Sequence, residues 1–551
     1  MIFTEVEQQR FQAMTHDVCI IGSGPAGLTL AVSLVEKGVK VLLLEGGDFK
    51  DDSSINDIYE GQATPPHART TEYRRQRFGG TSHLWGGRCV PLDDHDLQAR
   101  GHVPESGWPL PVQELRAFET EAARHCDAGK AEFGMDALGG RAGSMFEGLQ
   151  ALAPDLVERV ERYSLPTDFG AKYRQALTAS PLATVVLRAR VVSMHVAADG
   201  RSVDSLGVRL GRDRVAVSVP VRRVVISAGG IESARLMLVA RQATPAWSAF
   251  DSTLGKYYAC HYDSIFATVR FKGKRPCFLF ERTVDGVYAR RKLQFSASFQ
   301  AKHALLNAAF RLHFPPYADP AHRSGVLSFI YLVKSILPTE HQAILNHGHS
   351  VDPIGAGRIK HVFNVLMDPI SILSFGWDWV FKMKLAKRKL PYTLINKGDT
   401  YTIEFNSEQV QSAANRIELT NELDIDGMPR VHVTWQLTAQ DVESGVRSFR
   451  LLRQKLATIE GVELLFDEGK LRASMEKALP VGGHHMGATR MGSSAKNSVV
   501  DTDLRVHGVS NLWICSASVF PTNGHANPTF TLVALAARLG RHLADRVQRE
   551  A

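Results

Sequence analysis

Two glycine-rich loops near the end of the chain hold residues suited to acid–base work. The first runs His484-His485-Met486-Gly487-Ala488-Thr489-Arg490-Met491-Gly492. The second runs Pro521-Thr522-Asn523-Gly524-His525-Ala526-Asn527-Pro528-Thr529. An imidazole titrates near working pH, so a histidine in such a loop can act as general base. Asn527 has two roles open to it. With Pro528 at the first helical position, it reads as a helix N-cap; it could also hydrogen-bond a substrate oxygen. On the residues alone the cap comes first. Each of His484, His485 and His525, taken singly, is first a structural or surface residue.

A third motif lies at the opposite end, Gly22-Ser23-Gly24-Pro25-Ala26-Gly27. Gly22 permits a tight turn, Gly24 lets backbone approach a pyrophosphate at the helix N-terminus, and Gly27 allows close helix–strand packing. Glu45 stands 23 residues after Gly22, where an acidic side chain receives a ribose diol. The fingerprint alone does not separate FAD from NAD. A glycine cluster at Gly79-Gly80-Thr81-Ser82-His83-Leu84-Trp85-Gly86-Gly87 and a further glycine turn at Ala228-Gly229-Gly230 favour the larger FAD layout.

These motifs need elements to position them. Asp17–Ile21 reads as a buried strand, Pro25–Lys37 as a helix and Val39–Leu44 as a second strand, a complete strand–turn–helix–strand unit. Pro111–His125 is helical, Ala183–Val217 alternates as strands with a turn at Asp199-Gly200, and Arg223–Leu238 repeats the strand–glycine turn–helix logic. Ser264–Phe271 and Lys292–Ser298 show period two. Val362–Lys387 and Ala439–Ile459 fit helices, and the chain ends in a strand at Asn511–Cys515 and a helix at Pro528–Gln548. Ser324–Leu337 is apolar and reads as core. Dinucleotide signals therefore sit at both ends and near residue 230, so two interleaved domains are expected rather than two consecutive ones.

The 551 residues suffice for two to four domains, and 44% hydrophobic with 22% charged residues is ordinary for a globular chain. The net charge of +8 is mild, and no long basic arm points to nucleic acid. Six dispersed cysteines without a CxxC exclude a zinc ribbon and a cysteine-held iron–sulfur cluster; no metal site is expected. The first residues, MIFTEVEQQRFQAMTHD, lack an apolar core, so the expectation is a cytoplasmic protein. The segment 362–389 combines aromatic residues with Lys382, Lys384, Lys387, Arg388 and Lys389. Pro369 and Gly376 interrupt it, so the preferred reading is a substrate-domain helix with a solvated basic end. The other reading is an interfacial helix on an anionic membrane.

Taken together, the motifs resemble the glucose–methanol–choline (GMC) oxidoreductases. The likeness covers the N-terminal fingerprint, the Gly79–Gly87 cluster, the Ala228–Glu232 turn and the stretch from Gly482 to about Leu543. The C-terminus looks most like the bacterial sugar dehydrogenases and pyranose oxidases. The resemblance implies an α/β fold, with a Rossmann-type FAD-binding domain (1–105, 183–260 and 481–551) interleaved with a substrate domain (106–182 and 261–480) built on an antiparallel sheet with helices. It implies His484 as the base and Asn527 as its partner, with oxidation of an alcohol by proton abstraction and hydride transfer to flavin N5. His485 and His525 become candidate substrate neighbours. FAD contacts are implied at Gly22, Gly24, Pro25, Ala26, Gly27, Glu45, Gly79, Gly80, Thr81, His83, Leu84, Trp85, Gly86, Gly87, Val191, Ala228, Gly229, Ser518, Asn527, Pro528 and Thr529.

Some relatives hold FAD covalently through a histidine of the glycine cluster. That position here is Leu84, with His83 one place early, so non-covalent FAD is expected. The implied substrate is a small carbohydrate-like alcohol: a sugar, glycoside, polyol or related secondary metabolite. Oxygen, a quinone or a redox protein are all open as acceptor. Two other readings stand beside this one. A lyase on the same fold would use His484 as acid/base without net redox, and flavin bleaching by substrate would separate it. A non-catalytic flavoprotein would have no need of the pair His484 and Asn527.

Overall fold

The computed structural model describes residues 1–52, 56–140, 143–165, 167–334, 357–391, 394 and 396–550. One layer is a six-stranded parallel sheet in the order Ile2–Phe3, Ala183–Val186, Val41–Leu44, Val18–Ile21, Val224–Ile226 and Leu512–Ile514. The continuous apolar runs of the central strands suit a parallel sheet covered on both faces. Helix Pro25–Glu36 and the C-terminal helix Pro528–Glu550 pack together on it. Ile21 pairs in register with both Leu44 and Ile226, and Ile226 with Ile514. The residues that follow these strands therefore emerge along one edge, at the carboxyl ends where α/β sheets bind ligands.

A nine-stranded antiparallel sheet forms the second layer. Its main path runs Val462–Leu465, Tyr262–Phe271, Thr400–Ser407, Ala308–His313, Tyr288–Phe295, Leu156–Tyr163 and Arg88–Cys89. One face carries an apolar core of Tyr262, Phe271, Phe310, Phe405 and Phe449, the last from helix Ala439–Leu456. The segment 106–182 is divided. Its helices Glu119–His125 and Phe169–Ala179 join the core of the parallel sheet, while its strand Leu156–Tyr163 joins the antiparallel one. The division follows side-chain chemistry: Phe118, Ala122, Phe169 and Leu177 offer an apolar face to the C-terminal and N-terminal helices.

Most sequence-level boundaries shift by a few residues. Pro111–His125 is two helices, Val112–Arg116 and Glu119–His125. Lys292–Ser298 straddles the end of strand Tyr288–Phe295 and the start of helix Ala297–His303. The expected helix Val362–Lys387 breaks at Asp368-Pro369 into Arg358–Met367 and Pro369–Asp378, because Pro369 cannot donate an intrahelical bond. Helix Gly325–Val333 buries Val326 and Leu327, while residues 335–337 of the expected apolar stretch lie outside the described residues. Among the described residues no helix is long and apolar enough to cross a membrane.

Candidate active site

At the carboxyl edge of the parallel sheet lies a cleft. Gly22, Gly24, Pro25, Ala26, Glu45, Gly80, Thr81, Val191, Ala228, Gly229, Pro528 and Thr529 all line it. The three fingerprint glycines answer different constraints. Gly22 has φ +96°, and a Cβ there would meet the Ser227 carbonyl at 2.7 Å. A Cβ on Gly27 would stand 2.0 Å from the Gly22 carbonyl oxygen, so Gly27 sets the approach of helix to turn. A Cβ on Gly24 would meet nothing within 4 Å. Gly24 is therefore not required by the protein's own packing and borders open space at the start of helix Pro25–Glu36.

Glu45 accepts hydrogen bonds from the Ser23 amide (3.0 Å), the Ser23 hydroxyl (2.5 Å) and the Gly47 amide (2.8 Å). Burial raises its pKa, and these donors oppose that rise. The Ser227 Oγ and Gln76 Oε1 atoms, both on lining residues, are buried without a hydrogen-bond partner. A polar ligand would satisfy them. Arg190, also on the lining, is held by Asp424 (2.7 Å) and Asp426 (2.6 Å). Burial alone would raise the pKa of Glu232, but Arg235 and Arg74 outweigh it and hold the carboxyl low. The cleft thus has a glycine turn open to a pyrophosphate, an acidic residue at a strand end and unsatisfied polar atoms, a donor set that fits a dinucleotide.

The rest of the glycine cluster is not among the residues that line the cleft. The Trp85 indole donates to the Thr167 carbonyl at 2.8 Å, and the Gly87 carbonyl accepts from the Ser164 amide at 2.7 Å. Leu84 is exposed and Gly86 is at the surface. Gly79, with φ +98°, packs against Gly170. His83 spends both ring nitrogens locally, Nδ1 at the Gly80 carbonyl (2.9 Å) and Nε2 at the Asp51 carboxylate (3.2 Å). Ser518 is fully buried against Thr489 Oγ1 at 2.6 Å, and the lining position is taken by Ser516 two residues earlier.

At the end of the cleft the two C-terminal loops meet. His484 Nε2 lies 3.0 Å from Asn527 Nδ2. Asn527 Oδ1 is buried with no hydrogen-bond partner, so the side chain does not cap helix Pro528–Glu550 as the sequence suggested. It is aimed at His484 instead. The loop bearing His484 is pinned by paired backbone bonds between Met486 and Ala259 (2.9 and 3.0 Å) and by Val481 to the His261 carbonyl (2.8 Å). Gly487 makes that contact feasible: a Cβ there would stand 2.0 Å from the Tyr257 carbonyl oxygen.

This pinning brings in a residue the sequence did not single out. His261 Nδ1 lies 2.8 Å from His484 Nδ1, and His261 Nε2 lies 3.1 Å from the Asn523 carbonyl. A carbonyl can only accept, so His261 Nε2 carries the proton. Burial lowers the His261 pKa to about 4, so the ring is neutral near pH 7 and its Nδ1 is a lone pair. His484 Nδ1 must then be the donor, and His484 Nε2 is left as a lone pair facing Asn527. Burial, then His261, Arg88, His485 and Arg311, hold the His484 pKa well below 6.5. A lone histidine between Cys260 and Tyr262 carries no signal for this role in sequence.

The other two histidines lie elsewhere. His485 lines the cleft and stacks on His67 at 6.2 Å, and burial holds its pKa well down. His525 is buried on the far side of the loop, 2.8 Å from Lys292 Nζ and 3.5 Å from the Asp93 carboxylate. It is not brought to His484.

With that geometry in place, the comparisons with known proteins are direct. The FAD dependent oxidoreductase family model matches residues 17–326, more than half of the chain, and the GMC oxidoreductase C-terminal model matches residues 411–536. The chain belongs to the FAD-dependent oxidoreductases, and its C-terminal region is that of the GMC oxidoreductases. It is 23% identical to a 2-methyl-1,2-propanediol dehydrogenase of Mycolicibacterium austroafricanum, covering 96% of this chain and 95% of that protein. It is 24% identical to a 6'''-hydroxyparomomycin C oxidase of Streptomyces lividus, covering 96% and 92%. Among solved structures it is similar to a pyridoxine 4-oxidase from Mesorbium loti, with a TM-score of 0.53 and 16% identity over 96% of this chain and 99% of that one. The last likeness concerns fold alone.

Proposed function

We propose that this protein oxidises an alcohol group on a carbohydrate-like substrate (a sugar, glycoside or polyol), with His484 as general base and Asn527 as its hydrogen-bonding partner. The observation that carries the reading is the directed chain Asn523 carbonyl, His261, His484, Asn527, which leaves an unprotonated Nε2 beside an amide donor. A hydroxyl placed within reach of both, in exchange for their mutual contact, donates its proton to His484 Nε2 and accepts from Asn527 Nδ2. Proton removal makes the oxygen anionic, and the amide N–H stabilises that charge as it develops. The half-buried position of His484 and the neighbouring His261, Arg88, His485 and Arg311 favour the neutral base before the reaction. FAD, when bound, supplies the two-electron acceptor for the C–H hydrogen. Gly22, Gly24, Glu45, Ala228, Gly229 and Thr529 would hold it. The engagement of both His83 nitrogens and the exposed Leu84 favour non-covalent attachment. The carbohydrate-like class is favoured by the relatives named above, which act on a diol and an aminoglycoside.

The test is anaerobic bleaching of the bound flavin by a panel of sugars, glycosides, polyols and simple alcohols. Bleaching by one class supports the oxidation and names the substrate group, and admitting air then separates an oxidase from a dehydrogenase. A flavin that turns over substrate without bleaching would support the lyase reading instead.

A further inference from the structure

The segment 357–391 is built inside out. Helix Arg358–Met367 turns polar residues towards the protein: His361 Nδ1 lies 3.0 Å from Ser328 Oγ, and Asn364 donates to Ser328 Oγ at 3.1 Å and to the Pro320 carbonyl at 2.9 Å. His361 also stacks on Tyr331 at 4.0 Å. Its apolar residues face outward; Ile359 is 86% exposed and Leu366 71%. Helix Pro369–Asp378 buries none of its residues. Ile372 and Phe375 rest on a small cluster around Phe314, Tyr317 and Leu327, while Ile370, Leu373 and Trp377 point away, Ile370 being 80% exposed. Trp379 and Phe381 extend the same surface. An amphipathic helix in water turns its apolar side to the core. The first helix does the reverse, and the second leaves Ile370, Leu373 and Trp377 uncovered beside it, a continuous apolar surface that needs a covering partner.

The charges identify its chemistry. Within 357–391 the exposed charged residues are Arg358, Lys360, Lys382, Lys384, Lys387 and Lys389, all basic. The two acids are engaged, Asp368 with Lys397 (2.5 Å) and Asp378 with Lys382 (2.7 Å). Lys382 is thus ion-paired, but apolar residues interspersed with tryptophans and bordered by an excess of exposed cations match the headgroup zone of an anionic bilayer, with chains below and phosphates above. The helices are too short to span, so they would lie in the interface. We propose that the surface formed by 357–391 docks this protein on an anionic lipid membrane. The site is separate from the His484 chemistry and stands whether or not that chemistry is as described.

The experiment is vesicle flotation of the purified holoprotein with phosphatidylcholine alone and with an equal mixture of phosphatidylcholine and phosphatidylglycerol. The proposal expects flotation with the mixture, weakening with added salt. Ile370→Glu/Leu373→Glu/Trp377→Glu should lower the partition coefficient at least about tenfold while keeping the flavin band. Lys382→Gln/Lys384→Gln/Lys387→Gln should remove the preference for the anionic mixture. No flotation with the mixture would overturn the proposal. Undiminished flotation of the triple-Glu variant would do the same. So would light scattering showing a dimer that this variant dissolves, with no vesicle binding, since a second copy of the chain would then cover the surface.

Discussion

The Nδ1 atoms of His261 and His484 lie 2.8 Å apart although 223 residues separate them. Two facing ring nitrogens share one proton, and the Asn523 carbonyl at the far end of His261 decides which ring holds it. His261 is thus a positioning residue: it touches neither the cleft lining nor Asn527, yet it dictates which nitrogen of His484 is basic.

Replacing His261 by Phe keeps the ring volume and removes the acceptor. His484 is then free to protonate either nitrogen. The expected result is flavin reduction slower by about 10²-fold. A neighbour whose own protonation in acid opposes that of His484 also disappears, so the acid limb of the rate profile should move to higher pH. A merely structural role would lower flavin content or stability and leave the limb in place.

The pH dependence of the native protein has a defined sign. As the proposed base His484 must be neutral, and its folded pKa lies well below 6.5. Flavin reduction should therefore be flat through neutral pH and fall only on the acid side. Stability follows the same direction. His261, His484, His485 and His67 all have lowered pKa values in the fold, so below about 6.5 the unfolded chain binds protons the folded one does not. Their contribution is fully present above that pH and is lost progressively as pH falls. Denaturant midpoints measured across this range check it, and a midpoint that rises on acidification would contradict it.

Gly24 and Gly27 should separate cofactor binding from folding. Gly27→Ala forces a methyl to 2.0 Å from the Gly22 carbonyl and should destabilise the protein with or without flavin. Gly24→Ala meets no protein atom within 4 Å, so the flavin-free protein should keep its thermal midpoint. Its methyl projects where a pyrophosphate approaches backbone, so FAD should bind more weakly. Thermal melts with and without added FAD distinguish the two.

Acid precipitation tests the mode of attachment. All yellow colour should pass to the supernatant. Colour kept in the pellet would mean a covalent flavin and would direct attention to His83.

The N-terminal unit was legible because its information is local. Gly22 to Glu45 spans a turn, a helix and two strands that fold against one another, and each glycine has a steric reason visible in the motif. The pair His484 and Asn527 came through the family resemblance; on the residues alone Asn527 read first as a cap and His484 as structural, and the fold brings the two to 3.0 Å. His261 was not, since only the backbone pairing of Ala259 with Met486 brings it to the site. The division of 106–182 between two cores depends on long-range packing that no window of sequence reports. The segment 357–391 was legible only in part. It read as a substrate-domain helix with a solvated basic end or as an interfacial helix, and the sequence did not show that His361 and Asn364 would turn the polar side inward.

In the proposed oxidation His484 takes the substrate proton. The most direct measurement is anaerobic stopped-flow reduction of the flavin in native protein, His484→Ala and Asn527→Ala, using an alcohol that bleaches the native flavin. The account predicts that His484→Ala retains its flavin but reduces it several orders of magnitude more slowly. Asn527→Ala, lacking one oxyanion donor, should lose about 10²-fold. Near-native reduction by His484→Ala with flavin bound would contradict it.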